Sequence, residues 1–255
     1  MLIGLYTSNA GLQAASNYLD VLSNNITNVD TPGYKTVESH LQDFPYTGPS
    51  PSSAADPTGS QLGSGAVLNA TYGVFTQGPI NNTGQPLDVA IQGQGFLSVS
   101  LPGGTTGYTR AGNLSLDANG NLVTSDGFPL SPPITVPTGS TNVSVAADGT
   151  VTATSPTGDP ITVGALDITT FRNPAGLVRI GQTTFEETPA SGPGTTTSPG
   201  VGIAGTFLSG ALEGSNVEIA SELVNLIIAQ QSFSANNQAV LVSSETLQAT
   251  TDLIQ

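Results

Sequence analysis

Residues 215–254 read SNVEIASELVNLIIAQQSFSANNQAVLVSSETLQATTDLI and place Ile219, Leu226, Phe233, Val240, Leu247 and Ile254 seven positions apart. A strict seven-residue apolar period marks a helix whose stripe faces another helix rather than a broad globular core. Ser215-Asn216-Val217-Glu218 supplies a capping box at its start, with the Ser215 hydroxyl accepting from the Glu218 amide while the Glu218 side chain reaches back. Glu222 follows near the positive end of the helix dipole. No Pro or Gly interrupts residues 216–254, which predicts one helix roughly 60 Å long.

The other end of the chain carries a matching stripe. Leu5, Leu12, Leu19 and Ile26 recur every seven residues, with Ala15, Leu22 and Val29 filling the seam. This predicts a helix from Leu5 to Val29, roughly 38 Å long. Asp30-Thr31-Pro32-Gly33 ends it, because Pro disfavours helix in the residue before it and Gly permits the turn. Leu223 widens the C-terminal stripe, and Gln230, Asn237, Ser244 and Thr251 flank it; Asn24, Asn25 and Asn28 hold comparable places on the first helix. Two arrangements satisfy this pattern. Either the helices close one domain as an antiparallel hairpin, or they pack further against other copies with amides fixing the register. A lone two-helix hairpin buries only part of each stripe, and each large aliphatic left wet forgoes up to ~1.5–3 kcal/mol.

Between the helices the pattern is β-structure and loops. Residues 34–44 look extended, and a Pro/Ser-rich stretch from Pro45 to Asp56-Pro57 follows. From Leu68 to Leu212, short strands alternate with turn signals. Leu87, Val89 and Ile91 alternate with polar residues; Phe96–Val99 follows, and Asp117-Ala118-Asn119-Gly120 separates Leu114/Leu116 from Leu122/Val123 as a hairpin. Further strands are expected near 143–145, 161–163 and 166–170, with a surface loop over 189–205. The expected fold is mixed α and β, with long terminal helices forming a coiled-coil element and a β-rich, sandwich- or barrel-like middle domain. The expected parts are an N-terminal helix over 1–34, an extended segment and extension over 35–67, a β-rich domain over 68–213 and a C-terminal helix over 214–255.

Composition narrows the function. Only Lys35, Arg110, Arg172 and Arg179 are basic against 18 Asp and Glu, a formal net charge of −14. Nucleic-acid binding requires a clustered basic face, so it is not expected, and anionic membrane surfaces repel such a chain. Charged residues make up 9% of the chain, where roughly 25% is usual. A surface kept wet by Ser, Thr, Asn, Gln and Gly depends little on pH, which points to an acidic exterior. The absence of Cys removes disulfides and thiolate metal sites. The first residues carry neither a basic n-region nor a long apolar core, so no cleaved secretory signal is expected, and no stretch approaches the ~20 apolar residues of a membrane span.

Several motifs resemble a known family. Ser23-Asn24-Asn25-Ile26-Thr27-Asn28-Val29-Asp30-Thr31-Pro32-Gly33-Tyr34-Lys35 is similar to the N-terminal signature of the bacterial flagellar rod and hook axial proteins, and residues 215–230 resemble their C-terminal signature. Leu87–Phe96, Tyr108-Thr109-Arg110-Ala111-Gly112 and Leu116–Val123 are also family-like. Length, the 46–65 stretch and the 169–177 run resemble the distal-rod subgroup, with proximal-rod and hook subunits as alternatives. The resemblance implies a structural subunit of the basal body, exported unfolded through the flagellar type III apparatus without signal cleavage. It implies polymerisation into a hollow helical rod that carries torque to the hook. Its implied partners are copies of itself, other rod proteins and hook subunits, and the cell-wall and outer-membrane ring proteins. The chain departs from the family after Gln230, where Gln231-Ser232-Phe233 lacks the usual basic residue, and after Lys35, where basic residues are missing. Amide hydrogen bonds would replace the intersubunit salt bridges of relatives.

Catalytic patterns are sparse. His40 is the only histidine, and it lies on an extended segment in a chain with no Gly-x-Ser-x-Gly turn. Asp117–Asn121 has the wrong Gly position and no closing Glu for a calcium loop. Glu186-Glu187 reads as a solvated strand end, and no phosphate-cradling Gly-rich loop with a Lys occurs. No cofactor, metal or catalytic residue is expected. A secreted carbohydrate-binding or adhesin module and an acid-stable hydrolase are the rivals from other classes, and neither needs heptad helices at both ends.

Overall fold

The structure is a computed structural model that describes residues 2–45 and 63–252. The described residues fall into two compact units. One comprises 2–27, 37–45, 63–72 and 218–252, the other 28–36 and 73–217. The chain is thus mixed α and β, with a helix at each end and a β-rich middle.

The first unit contains α1 (Leu2–Thr27), β1 (Val37–Asp43), β2 (Ala66–Gly73) and α2 (Ile219–Asp252). The helices pack on each other, α1 also meets β1, and β1 pairs with β2. Both strands therefore belong with the helices, although the expected β-rich domain began at residue 68. Most of the 46–65 stretch lies outside the described residues. The first helix stops two residues before Val29, because Asn28 opens a turn in which the Thr31 amide donates to the Asn28 carbonyl at 3.2 Å. The last helix starts at Ile219 rather than Asn216. Asn216 is otherwise engaged, its Oδ1 accepting from the Thr36 amide at 2.7 Å and its Nδ2 donating to the Val74 carbonyl at 2.9 Å. The expected capping box is replaced. Ser215 Oγ accepts from the Val217 amide, and Glu218 takes the N-cap position, its carbonyl receiving the Glu222 amide at 3.0 Å.

The second unit holds β3 (Ile80–Asn82), β4 (Val89–Gln92), β5 (Leu97–Ser100), β6 (Thr106–Thr109), β7 (Leu114–Leu116), β8 (Leu122–Thr124), β9 (Thr141–Val145) and β10 (Thr150–Thr154). It continues with β11 (Pro160–Ala165), β12 (Ile168–Thr170), β13 (Val178–Gly181), β14 (Thr184–Glu186), β15 (Thr195–Thr197), β16 (Thr206–Ser209) and β17 (Ala211–Glu213). A four-stranded sheet runs β13-β14-β6-β5, a three-stranded one β11-β10-β9, and the remaining strands form two-stranded ladders. The Asp117–Asn121 turn joins β7 to β8 as expected, and its Asp117 Oδ1 accepts from the Asn119 and Asn121 amides at 2.8 and 2.7 Å. Part of the expected 189–205 loop is strand, because the β-branched run of β15 pairs antiparallel with β12. One core gathers Val89, Ile91, Leu97, Val99, Leu122 and Val151; a second is aromatic, with Phe96, Tyr108, Phe171 and Phe185 around edge-to-face contacts such as Tyr108–Phe171 at 4.7 Å.

Motifs far apart in the chain meet at a buried charge cluster in this unit. Lys35 Nζ bonds Glu213 Oε1 and the Thr76 carbonyl, the latter at 2.8 Å. Arg110 Nε donates to Glu213 Oε2 at 2.9 Å, and its Nη1 donates to the Gly93 and Gly95 carbonyls at 2.9 and 2.6 Å. The Gly78 amide completes the shell of Glu213 Oε1 at 3.0 Å. These side chains are 0–4% exposed. Burial pushes the Lys35 ammonium below its ordinary range, while the Glu213 carboxylate opposes that shift. Gly33, at φ +71°, lets the preceding turn approach this site, since a Cβ there would lie 2.4 Å from the Ala111 amide nitrogen.

Two cations share one anion, so removing that anion leaves both uncompensated in a low-dielectric site. Glu213→Ala is expected to cost about 3–5 kcal/mol and to lower the melting temperature of the β-rich unit by about 10 °C or more. A thermal melt followed by a β-sensitive spectroscopic signal checks this.

Candidate assembly surface

The two helices meet along a seam of mixed side chains. On α1, Ala14, Ala15 and Leu22 are buried; on α2, Ala229 and Glu222 are. Gly11 faces Asn236 so closely that a Cβ would lie 2.8 Å from the Asn236 side chain. The α2 seam thus follows Glu222, Ala229 and Asn236, a heptad set offset by three residues from the expected one.

Asn25 anchors the seam. Its Oδ1 accepts from the Val37 amide and its Nδ2 donates to the Val37 carbonyl, both at 2.9 Å, so one side chain holds the start of β1 as a strand neighbour would. The same Nδ2 donates to Glu222 Oε1 at 3.1 Å, joining positions 197 residues apart. Glu222 Oε2 is buried with no partner among the described residues. Burial raises the Glu222 carboxyl above its ordinary range, the Glu38 carboxylate adds to the shift, and the Asn25 bond opposes it. The Tyr18 phenol is raised by burial and by the same two acids.

The expected assembly residues distribute unevenly. Leu5, Leu12, Leu19, Ile26 and Val29 are half-buried, as are Leu226, Val240 and Leu247. Ile219 and Phe233 face solvent, as do Asn24, Gln230 and Asn237; Asn28 is half-buried in the turn after α1, and Ile254 lies outside the described residues. A group of uncovered apolar side chains lies on the first turns of α2, where Ile219, Leu223, Val224, Ile227 and Ile228 are each 46–57% exposed. A continuous apolar surface of this kind marks an interaction site on a folded protein. Counting sevens missed Val224, Ile227 and Ile228; the signal for them was the nearly unbroken apolar run 223–229, which is apolar on every side of a helix. It also missed Lys35, Arg110 and Glu213, whose rarity in so weakly charged a chain was the available signal.

A helix pair that leaves Ile219, Leu223, Val224, Ile227 and Ile228 half in water, in a chain with a separate β-rich body, defines a structural subunit suited to association. Family patterns match along the chain: the flagella basal body rod protein pattern over residues 5–35, the flagellar hook protein FlgE/F/G D1 domain over 90–153, and the flagellar basal body rod FlgEFG protein C-terminal pattern over 208–253. The chain is 37% identical to the flagellar basal-body rod protein FlgG of Buchnera aphidicola over 99% of its own length and all of the relative's, and 38% identical to that of Caulobacter vibrioides over 98% of each. It is 33% identical to the flagellar basal-body rod protein FlgF of Salmonella typhimurium over 88% of its length and 86% of the relative's. The chain belongs to the flagellar basal-body rod protein family.

Glu222 makes the helical unit sensitive to pH. Its native value is raised, so the protonated form favours the fold; that stability is fully present below the ordinary carboxylate value and is lost as pH rises through the native one. The wild-type helical unit is expected to melt higher on acidification from neutral pH. Glu222→Gln should flatten that dependence and be at least as stable at neutral pH, as read by far-UV circular dichroism melts across pH. Equal pH slopes in both proteins would remove the role of Glu222.

Proposed function

We propose that the chain is a structural, non-enzymatic subunit of the distal rod of the flagellar basal body. It polymerises with copies of itself into a hollow helical tube that carries torque from the motor to the hook. The reading includes coiled-coil packing of the terminal helices along the inner tube, with the β-rich units forming the outer layer. It also includes contacts with other rod proteins, hook subunits and the cell-wall and outer-membrane rings, and delivery through the flagellar type III apparatus. The full-length similarity to FlgG proteins supports the distal rod over the proximal, because the FlgF likeness covers less of both chains.

The observation that carries the proposal is the orientation of α2. A hairpin closing a single domain places its large aliphatics inward, whereas here the inner side carries Glu222, Ala229 and Asn236, the outer side carries Val224 and Ile227, and Ile228 flanks the seam, 57% exposed. Covering those aliphatics with a neighbouring copy recovers about half of ~1.5–3 kcal/mol for each, several kcal/mol per subunit.

Val224→Asn combined with Ile227→Asn keeps the inner seam intact and removes two outward aliphatics. Electron microscopy and sedimentation are expected to show straight hollow rods for the wild type and a critical concentration raised about tenfold or more for the double variant, with helix content retained. Rods formed equally well by the variant would contradict the proposal.

A further inference from the structure

All of the chain's Lys and Arg charge resides on four side chains, and three of them are engaged inside the β-rich unit. Lys35 and Arg110 are buried on Glu213. The Arg179 guanidinium donates to the Lys35 carbonyl at 2.6 Å and lies over the Tyr34 and Phe185 rings at 5.4 and 5.3 Å. Arg172 alone is exposed, and its side chain makes no hydrogen bond or ion pair among the described residues. The sole histidine, His40, is on β1 in the other unit.

Arg172 lines a cleft of about 410 Å³. Phe75, Phe96 and Phe171 give the cleft apolar walls, Gln94 adds an amide, and Ile203 lies at its edge, 66% exposed. An apolar hollow with one exposed guanidinium in its lining is a site for a carboxylate presented beside an apolar side chain.

Charge selects the occupant. Two copies of a chain at −14 repel one another over most of their surfaces. Each copy brings 18 carboxylates, including those at the exposed turns Asp126, Asp148 and Asp159 of the β-rich unit. Any intersubunit ion pair that this unit makes with a Lys or Arg side chain must therefore use Arg172. We infer that the Arg172 cleft is the socket through which the β-rich unit receives a carboxylate-bearing turn of a second copy of this chain. The inference rests on the reading that the chain polymerises, and adds where the outer units meet and what holds them. It also accounts for an interface that works without the basic residues missing after Lys35 and Gln230.

The test compares the wild-type full chain with Arg172→Glu and Arg172→Gln at low and high salt. Arg172 is exposed, so both variants should keep the wild-type melting temperature. At ~10 mM salt, where the Debye length is ~30 Å, Arg172→Glu is expected to raise the critical concentration for rod formation about tenfold, with Arg172→Gln in between. At ~1 M salt, with a Debye length of ~3 Å, the three proteins should converge. Equal critical concentrations at low salt would overturn the socket and leave the rod reading standing, as would a defect that persists undiminished at high salt. A wild-type chain that forms no rods at any concentration would overturn the rod reading and the socket with it.

Discussion

A two-helix pair offers each helix one covered side, and α2 uses its smaller side for it. Glu222, Ala229 and Asn236 face α1, and this close seam is held by the Asn25 amide bridging Val37 and Glu222. The consequence is that Ile219, Leu223, Val224, Ile227 and Ile228 stay half in water. A helix stabilised mostly by packing, as helices in proteins are, then has part of its stabilisation outside its own chain. In the proposed polymer, assembly and helix order would be one thermodynamic event, with the conformational entropy of fixing the helices offset by contacts from neighbours.

The β-rich unit follows the opposite logic. Its two cores are closed, and its buried Lys35–Glu213–Arg110 cluster satisfies each charge with a partner or a backbone carbonyl. Such a cluster is weak evidence for stability, because desolvation offsets much of the attraction. Its geometric effect is clearer. Segments 33–36, 93–95, 110–112 and 213–216 are tied at one point, with Asn216 adding bonds to Thr36 and Val74. The stretch after α1 and the stretch before α2 are thereby held together within a single unit, although they are some 180 residues apart in sequence.

Much of this architecture was legible in the residues. Pro32-Gly33 announced the end of α1, the seven-residue stripes announced two helices, and Asp117–Gly120 announced a hairpin. The face of α2 was not legible, because a heptad count weighs only the large residues, whereas the seam is chosen by how closely backbones approach. Ala229 and Gly11 permit that approach, and Leu226 only flanks it. The capping box at Ser215 failed for a related reason. Its sequence is well formed, but Asn216 finds better partners in the backbone of residues 36 and 74, and long-range bonds override local signals. The charge cluster was invisible because its members are distributed across the chain.

In the proposed rod, helix order depends on neighbours while the β-rich unit is complete by itself. Hydrogen–deuterium exchange on the dilute monomer and on assembled rods tests this most directly. The expected result is that α1 and α2 exchange orders of magnitude more slowly in rods than in the monomer, with the core strands β4, β5 and β10 equally protected in both. Helices as strongly protected in the monomer as in the rod would contradict it.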